Sequence, residues 1–468
     1  MKIKALSRSA SAYQPPGSEV PKAPRNLDPA IHPFERAREY KRALNAVKLE
    51  RMFAQPFIAQ LGRGHVDGVY SLAKDPNSLD RFASGAGDGV VKVWNLTSRE
   101  EVWKTTAAEN TVKGMAWTKD QKLLTVSADK NAKLFDPYNT PSDSAPINTW
   151  LGGHALSSIS MHRSKNAFAV SSDCISVYDL DRYTAAPEVL RWPKSGETIT
   201  SVAFNQSETS VLGSTCTDRS ITLFDLRTSA ALSRTFLDFY CNKLAWNPVE
   251  PMNFAVCSED HNSYMFDMRR MDRALNVFKD HVAAVMDVSF SPTGTELVTA
   301  SWDRTVRLWD RDQGHSRDVC TYTEVFCCFR PRHGPGNGSR NRKIPALRMR
   351  VFATEYTPDS KTVISASDDG NVRLWRAHAS NREGVKSARH RQALEYNEAL
   401  SARYSHMPEI RRIKRHRHIP KVVKKAGEIK KDELKAIKKR EENERKHTKK
   451  QFEKRKSERE KVVLAREK

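Results

Sequence analysis

The chain has 468 residues, 38% of them hydrophobic, with 79 Lys+Arg against 56 Asp+Glu and a formal net charge of +23. That length suits one large domain or two to three ordinary ones. No apolar run approaches the roughly 20 residues of a membrane span, and Met1-Lys2-Ile3-Lys4 leads into no apolar signal core, so a soluble, intracellular protein is expected.

Taken in chain order, residues 1–55 read as an N-terminal extension. Pro33 to Phe53 is predicted as a helix, with proline at its first turn and Ala37, Tyr40, Leu44 and Val47 at helical spacing. Its apolar stripe suits either of two roles, covering part of the next domain or docking a partner. Pro56-Phe57-Ile58-Ala59-Gln60-Leu61 then reads as a short apolar strand.

From Ala83 to Arg376 one phrase recurs seven times: an apolar run, small residues, an Asp, and an alternating strand that ends in an aromatic. The turn aspartates are Asp88, Asp129, Asp173, Asp218, Asp260, Asp303 and Asp369, spaced by 41, 44, 45, 42, 43 and 66 residues. A period of about 40–45 with alternating strands predicts propeller blades. The fold class is therefore all-β, a seven-bladed propeller over residues 56–377. An open last blade would expose a strand edge, so the Pro56–Leu61 segment is expected to supply the outermost strand of blade 7. In the third copy Tyr178 follows its Asp by five residues and not six, which reads as a hairpin shortened by one.

Gly64-His65, Gly153-His154 and Asp280-His281 stand where the loop into a blade's first strand belongs. These motifs resemble the WD-repeat family, whose blades are knit by hydrogen bonds among His, Ser or Thr, Asp and Trp. The resemblance implies a network of His65, Ser84, Asp88 and Trp94 in blade 1, and of His281, Thr299, Asp303 and Trp309 in blade 6. A catalytic triad is a poor reading of such a set, because it repeats with the blade and an active site would not. No catalytic residue, cofactor or metal is expected. Seven cysteines without a C-x-x-C spacing read as reduced thiols, with Cys174, Cys216, Cys241 and Cys257 in core segments.

The long last interval places about 23 extra residues between Gly314 and Val351, so an insertion is expected at 315–350. Its Gly- and Arg-rich text follows neither blade nor helix period and lacks the G-K-[S/T] ending of a phosphate loop. A surface loop and an unspliced intron both remain open as its origin.

Residues 378–468 form a basic appendage with 30 Lys+Arg against 14 Asp+Glu, so 91 residues carry +16 of the net charge. Tyr396, Leu400 and Tyr404 at i, i+4, i+8 predict an amphipathic helix able to pack on the propeller or a partner. The acid-free strip Arg411, Arg412, Ile413, Lys414, Arg415, His416, Arg417, His418, Ile419, Pro420, Lys421 is too densely charged for a helix to bury any face, and Pro420 ends helical geometry there. The strip is the expected contact with RNA or a ribonucleoprotein, through Arg411, Arg412, Lys414, Arg415, His416, Arg417, His418 and Lys421. Beyond Glu428 a mixed-charge sequence predicts a long solvated helix, with nuclear import as a sufficient role for its charge.

The opening Met1-Lys2-Ile3-Lys4, the strings Pro24-Arg25-Asn26-Leu27, His32 to Tyr40 and Lys48 to Phe53, the seven blades and the basic strip together resemble the SOF-type WD-repeat family, named for suppression of a fibrillarin defect. The resemblance implies a basic, α-helical SOF domain after the propeller. It also implies a nucleolar, non-catalytic component of the small-subunit processome, partnered by precursor rRNA, a small nucleolar ribonucleoprotein and processome proteins, with no membrane association. An alternative is a substrate receptor of a cullin-RING ubiquitin ligase. Phe224-Asp225-Leu226-Arg227 and Phe266-Asp267-Met268-Arg269 resemble the Asp-x-Arg box that docks on a ligase adaptor, which makes Arg227 and Arg269 the docking residues.

Overall fold

The computed structural model describes residues 34–183, 185–191, 197–322, 350–381, 384–417, 419–452 and 455–467. Contacts group these residues into two compact units: residues 57–377 with 418–468, and residues 1–56 with 378–417.

The first unit is the propeller. Seven antiparallel sheets follow one another along the chain; in six of them the strands lie side by side in sequence order, and the seventh takes one edge strand from the start of the propeller. Blade 1 is representative, with strands Val69–Lys74, Arg81–Ala86, Val90–Asn95 and Glu101–Thr106. Both faces of a blade press on neighbours, so the core is a ring of apolar clusters between successive sheets and not a single centre. Val91, Val93 and Trp103 of blade 1 meet Met115, Trp117 and Phe135 of blade 2 in one of them, and Tyr322, Val351, Tyr356 and Trp375 pack between blades 6 and 7 in another.

The ring closes as expected. Phe57–Gln60 pairs antiparallel with Val372–Arg376 and completes blade 7, with Phe57 opposite Trp375 and Gln60 opposite Arg373. The turn of blade 7 also meets the loop into blade 1, where the His65 amide donates to Gly370 O at 2.7 Å. Gly370 has φ +75°, and a Cβ there would stand 2.4 Å from His65 O, so the approach needs glycine.

Two expectations within the propeller are corrected. Pairing in the blade 3 hairpin is centred on Asp173, with Ser171 opposite Ile175 and Phe168 opposite Tyr178. Blade 1 is centred on Asp88 in the same way. The hairpin is thus not shortened; Tyr178 lies one residue nearer the turn, on the other face of its strand, and stacks on Phe168 with ring centroids 5.2 Å apart. The extra residues also begin later than Gly314, because Ser316–Thr321 is the outer strand of blade 6, paired with Thr305–Asp310. Most of the expected insertion, residues 323–349, lies outside the described residues, as do residues 1–33.

The chain returns to the propeller after Pro420. Helix α4 (Lys421–His447) begins seven residues before Glu428 and buries Val423. It is not followed by more solvated helix. A one-turn helix, Glu458–Lys461, leads to the strand Val463–Glu467, which pairs antiparallel with Ala230–Leu237 as a fifth strand on blade 4.

The second unit is helical and joins sequence from both ends of the chain. Helix α1 (Glu35–Met52) packs on α2 (Ala388–Arg403) and α3 (Pro408–Arg415). Ala43 and Val47 of α1 meet Leu400, Tyr404 and Ile410, with Tyr396, Met407 and Ile413 around them. Polar pins reinforce the packing: the buried Glu39 carboxylate accepts from Tyr404 Oη at 3.0 Å and Arg403 Nη1 at 3.2 Å, and Tyr40 Oη donates to Glu409 at 3.0 Å. The stripes on α1 and α2 are therefore used on each other. The strip does turn one side inward: its Ile413 is partly buried one turn after Ile410, the buried residue just before the strip, and the two set α3 onto α1. Among the described residues no helix is long and apolar enough to cross a membrane.

Candidate nucleic-acid interface

Helix α3 carries the centre of the basic strip. Pro408 opens it and Arg412, Lys414 and Arg415 fill its last turn, an order that suits the helix dipole. The helix stops at Arg415, five residues before Pro420. Residues 411, 412 and 415 fall within about 100° of one another around the helix. Arg411, Arg412, Arg415 and His416 are exposed, as is Lys421 at the start of α4. Lys414 and Arg417 are not equivalent to these. Lys414 Nζ donates to Ser401 O and Oγ, both at 3.3 Å, and Arg417 Nη1 donates to Lys414 O, so both side chains are engaged inside the unit. His418 lies outside the described residues.

The Asp-x-Arg arginines sit just past the third strands of blades 4 and 5, and both are exposed. In each box the arginine's own amide donates to the aspartate, at 2.9 Å for Arg227 and Asp225 and at 2.9 Å for Arg269 and Asp267. The Arg227 amide and guanidinium hold the Asp225 carboxyl below its ordinary range.

The blade networks differ from one another. In blade 6 Trp309 Nε1 donates to Thr299 Oγ1 at 2.8 Å, His281 Nε2 lies 2.6 Å from the same hydroxyl, and His281 Nδ1 lies 2.9 Å from Asp303. Complete burial lowers the His281 pKa. Burial would raise that of Asp303, but His281, Arg307 and the Thr305 hydroxyl hold it low. In blade 1 Trp94 Nε1 donates to Ser84 Oγ at 2.7 Å and His65 Nε2 lies 2.6 Å from it. There the chain of bonds stops: Asp88 accepts the Val90 amide at 3.1 Å, while His65 Nδ1 is buried with no partner among the described residues. Asp88 is thus not a member of the blade 1 network as expected, because its carboxylate is turned to its own turn. Burial, helped by Lys92 and Lys104, lowers the His65 pKa to about 3.

Blade 7 holds a network that the repeat did not announce. Trp375 Nε1 donates to Ser365 Oγ at 2.6 Å, and Tyr322 Oη, 2.6 Å from the same hydroxyl, stands where blades 1 and 6 have histidine. The Arg373 guanidinium lies 4.0 Å from the centre of the Tyr322 ring.

Five cysteines, Cys174, Cys216, Cys241, Cys257 and Cys320, are buried and free, and burial pushes the Cys241 and Cys257 thiols up. Glu197, Cys216 and Asp218 bring ligand-type atoms together. Asp218 is already paired with Arg234 and accepts the Ser220 amide at 2.9 Å. Burial raises the Cys216 pKa, which favours the thiol over the metal-binding thiolate.

Comparison with known proteins accounts for both ends of this arrangement. The WD domain, G-beta repeat, matches residues 57–95, 273–310 and 347–376, and the Sof1-like domain matches residues 377–463. The chain is 45% identical to Protein SOF1 of Saccharomyces cerevisiae, covering 95% of this chain and 91% of that protein. It belongs to the Sof1 family. Two further relatives are Protein sof1 of Schizosaccharomyces pombe, 43% identical, and the DDB1- and CUL4-associated factor 13 of Danio rerio, 38% identical, each alignment covering 96% of both chains. In this family member the Sof1-like segment is not a unit by itself. Its residues up to 417 group with α1, and those from 418 onward group with the propeller.

Proposed function

We propose that this chain is a non-catalytic scaffold in ribosome biogenesis, a nucleolar component of the small-subunit processome that acts with precursor rRNA and a small nucleolar ribonucleoprotein. Membership of the Sof1 family supports the reading. The observation that carries it is the exposed arc of Arg411, Arg412 and Arg415 on α3, guanidinium groups carried on one side of a helix and suited to bidentate contact with phosphate. The blade networks recur, in differing form, in blades 1, 6 and 7 and hold strands together, which supports display of surfaces over chemistry. Replacing Arg411, Arg412 and Arg415 with Ala is expected to weaken RNA crosslinking in cells and incorporation into pre-ribosomal particles, measured by sedimentation. Undiminished incorporation would remove the role assigned to this arc. Lys414 and Arg417 are left unchanged because their loss would disturb α3 itself.

A second reading, docking on a cullin-ligase adaptor, is favoured by the name of the Danio rerio relative and by the exposure of Arg227 and Arg269. Affinity capture separates the two. Arg227→Ala with Arg269→Ala is expected to abolish recovery of the adaptor and leave recovery of ribosomal-precursor RNA intact.

A further inference from the structure

Helix α4 is about 40 Å long at 1.5 Å per residue, and the fold fastens it at two places. Near its start Val423 is buried, Gly427 faces Val282, and Lys430 Nζ donates to His281 O at 2.8 Å. Beyond its middle, Lys438 and Glu441 form ion pairs with Glu458 and Lys461, at 3.4 and 2.6 Å. The segment carrying those partners is itself anchored. The Ala274 amide donates to Arg459 O at 3.0 Å, Val462 enters an apolar cluster with Leu237 and Met271, and Arg466 pairs with Asp272 at 3.1 Å. The strand Val463–Glu467 then seals the edge of blade 4.

The outward side of α4 keeps a net positive charge. Lys424, Lys425 and Lys439 fall, with Lys421, within an arc of about 100° on the side away from Val423, Gly427 and Lys430. The same arc holds Glu428, and Asp432 and Glu442 there pair with Lys435 and Lys446. Lys424, Lys425 and Lys439 are exposed and have no acidic partner among the described residues. A lysine row of this kind has no planar fork and recognises charge more than shape, which matches a phosphate backbone better than a particular peptide. A helix held in place also loses less conformational freedom on binding than a tail that must first be ordered.

We propose that α4 is a preorganised ridge for the phosphate backbone of RNA, kept in position by the C-terminal strand on blade 4. The inference rests on the RNA-scaffold reading and adds a second contact to it, distinct from the α3 arginines. The strand acts as a latch: it touches no RNA, and it fixes the helix that does.

The test uses the full chain, a short RNA hairpin and an acidic peptide of equal charge, with affinities measured by fluorescence anisotropy over a salt series. Lys424→Gln, Lys425→Gln and Lys439→Gln together are expected to weaken hairpin binding about tenfold or more and to flatten the salt dependence by about two to three charges. Ala465→Pro removes no charge but interrupts the strand. It is expected to open α4 to trypsin and to weaken binding about tenfold with the salt slope preserved. Where trypsin shows the strand still seated, Val462→Asn takes the place of the proline variant, since it puts an amide into the apolar cluster. Unchanged affinity with α4 released, or an acidic peptide bound as tightly as the hairpin, overturns the ridge. If wild-type protein does not bind the hairpin at all, the RNA reading itself falls. If only Arg411→Ala, Arg412→Ala and Arg415→Ala reduce binding, that reading stands and the ridge falls.

Discussion

Blades 1 and 6 carry the same four kinds of residue, with equal spacing from hydroxyl to Asp to Trp and a histidine set 19 residues before the hydroxyl in blade 1 and 18 in blade 6, yet only one of them builds the whole network. In blade 6 the loop into the first strand is drawn to the turn aspartate of its own blade: His281 Nδ1 and the Val282 amide both reach Asp303, at 2.9 and 3.3 Å. In blade 1 the corresponding loop is drawn the other way, to the turn of blade 7, by the bond from the His65 amide to Gly370 O. Blade 1 is where the ring closes. The comparison teaches that the motif supplies the donors and acceptors, while the placement of the entry loop decides which of them meet.

That contrast can be broken most directly at the aspartates. Asp303→Ala strands His281 Nδ1 and the Thr305 amide and hydroxyl in a buried site, and is expected to cost about 3 kcal/mol. Asp88→Ala gives up one turn bond and is expected to cost about 1 kcal/mol or less. Equal losses in urea unfolding would show that the two blades are alike after all.

Acid is the next lever. The folded pKa of His65, about 3, lies below its ordinary value of 6.5, so below pH 6.5 the unfolded chain binds the proton more readily. Stability falls as the pH drops from 6.5 towards 3, by about 3 kcal/mol at pH 4. His65→Gln is expected to remove that share of the pH slope, as measured by melting temperature across the window. A slope unchanged by the substitution would mean that His65 finds a partner in solution.

The smallest expected difference sharpens the comparison by locating where the blades agree. Trp94→Phe and Trp309→Phe each remove one indole donor to a buried hydroxyl, at 2.7 and 2.8 Å, and part of a fully buried ring, and should cost the two blades alike, about 2–3 kcal/mol each. A clear inequality would move the difference between the blades from the aspartate to the tryptophan end.

The propeller was legible because its signals are local. A strand alternates over a few residues, a turn Asp recurs at each hairpin, and an unpaired edge demands closure, so Phe57–Gln60 could be assigned to blade 7 from sequence. Tyr322 was hidden for the opposite reason: it stands at the end of a blade 6 strand, 43 residues before the Ser365 hydroxyl it meets. The helical unit depends on pairs such as Glu39 and Tyr404, 365 residues apart, which no periodicity within either helix reveals. Ile410 and Ile413 were a usable sign that α3 has a buried face, but the surrounding charge masked it. The last strand offered only Val462-Val463-Leu464-Ala465 after a long charged run, too short a stretch to separate from the end of a helix. Of the candidate contacts, the exposure of Arg411, Arg412 and Arg415 followed from composition. The engagement of Lys414 and Arg417 did not, since it depends on how α2 and α3 meet.

The union of α1 with α2 and α3 also sets an order in time. Helix α1 leaves the ribosome well before its partners, which follow more than 330 residues later, a delay of roughly 20–70 s at about 5–20 residues per second. Over that interval Ala43 and Val47 have no α2 or α3 to cover them, while Phe57–Gln60, a few residues downstream, waits for blade 7. Both of these neighbouring segments therefore hold unfinished surfaces until blade 7 and the helices after it have been made, and a stall before that point would leave an open ring and an orphaned helix.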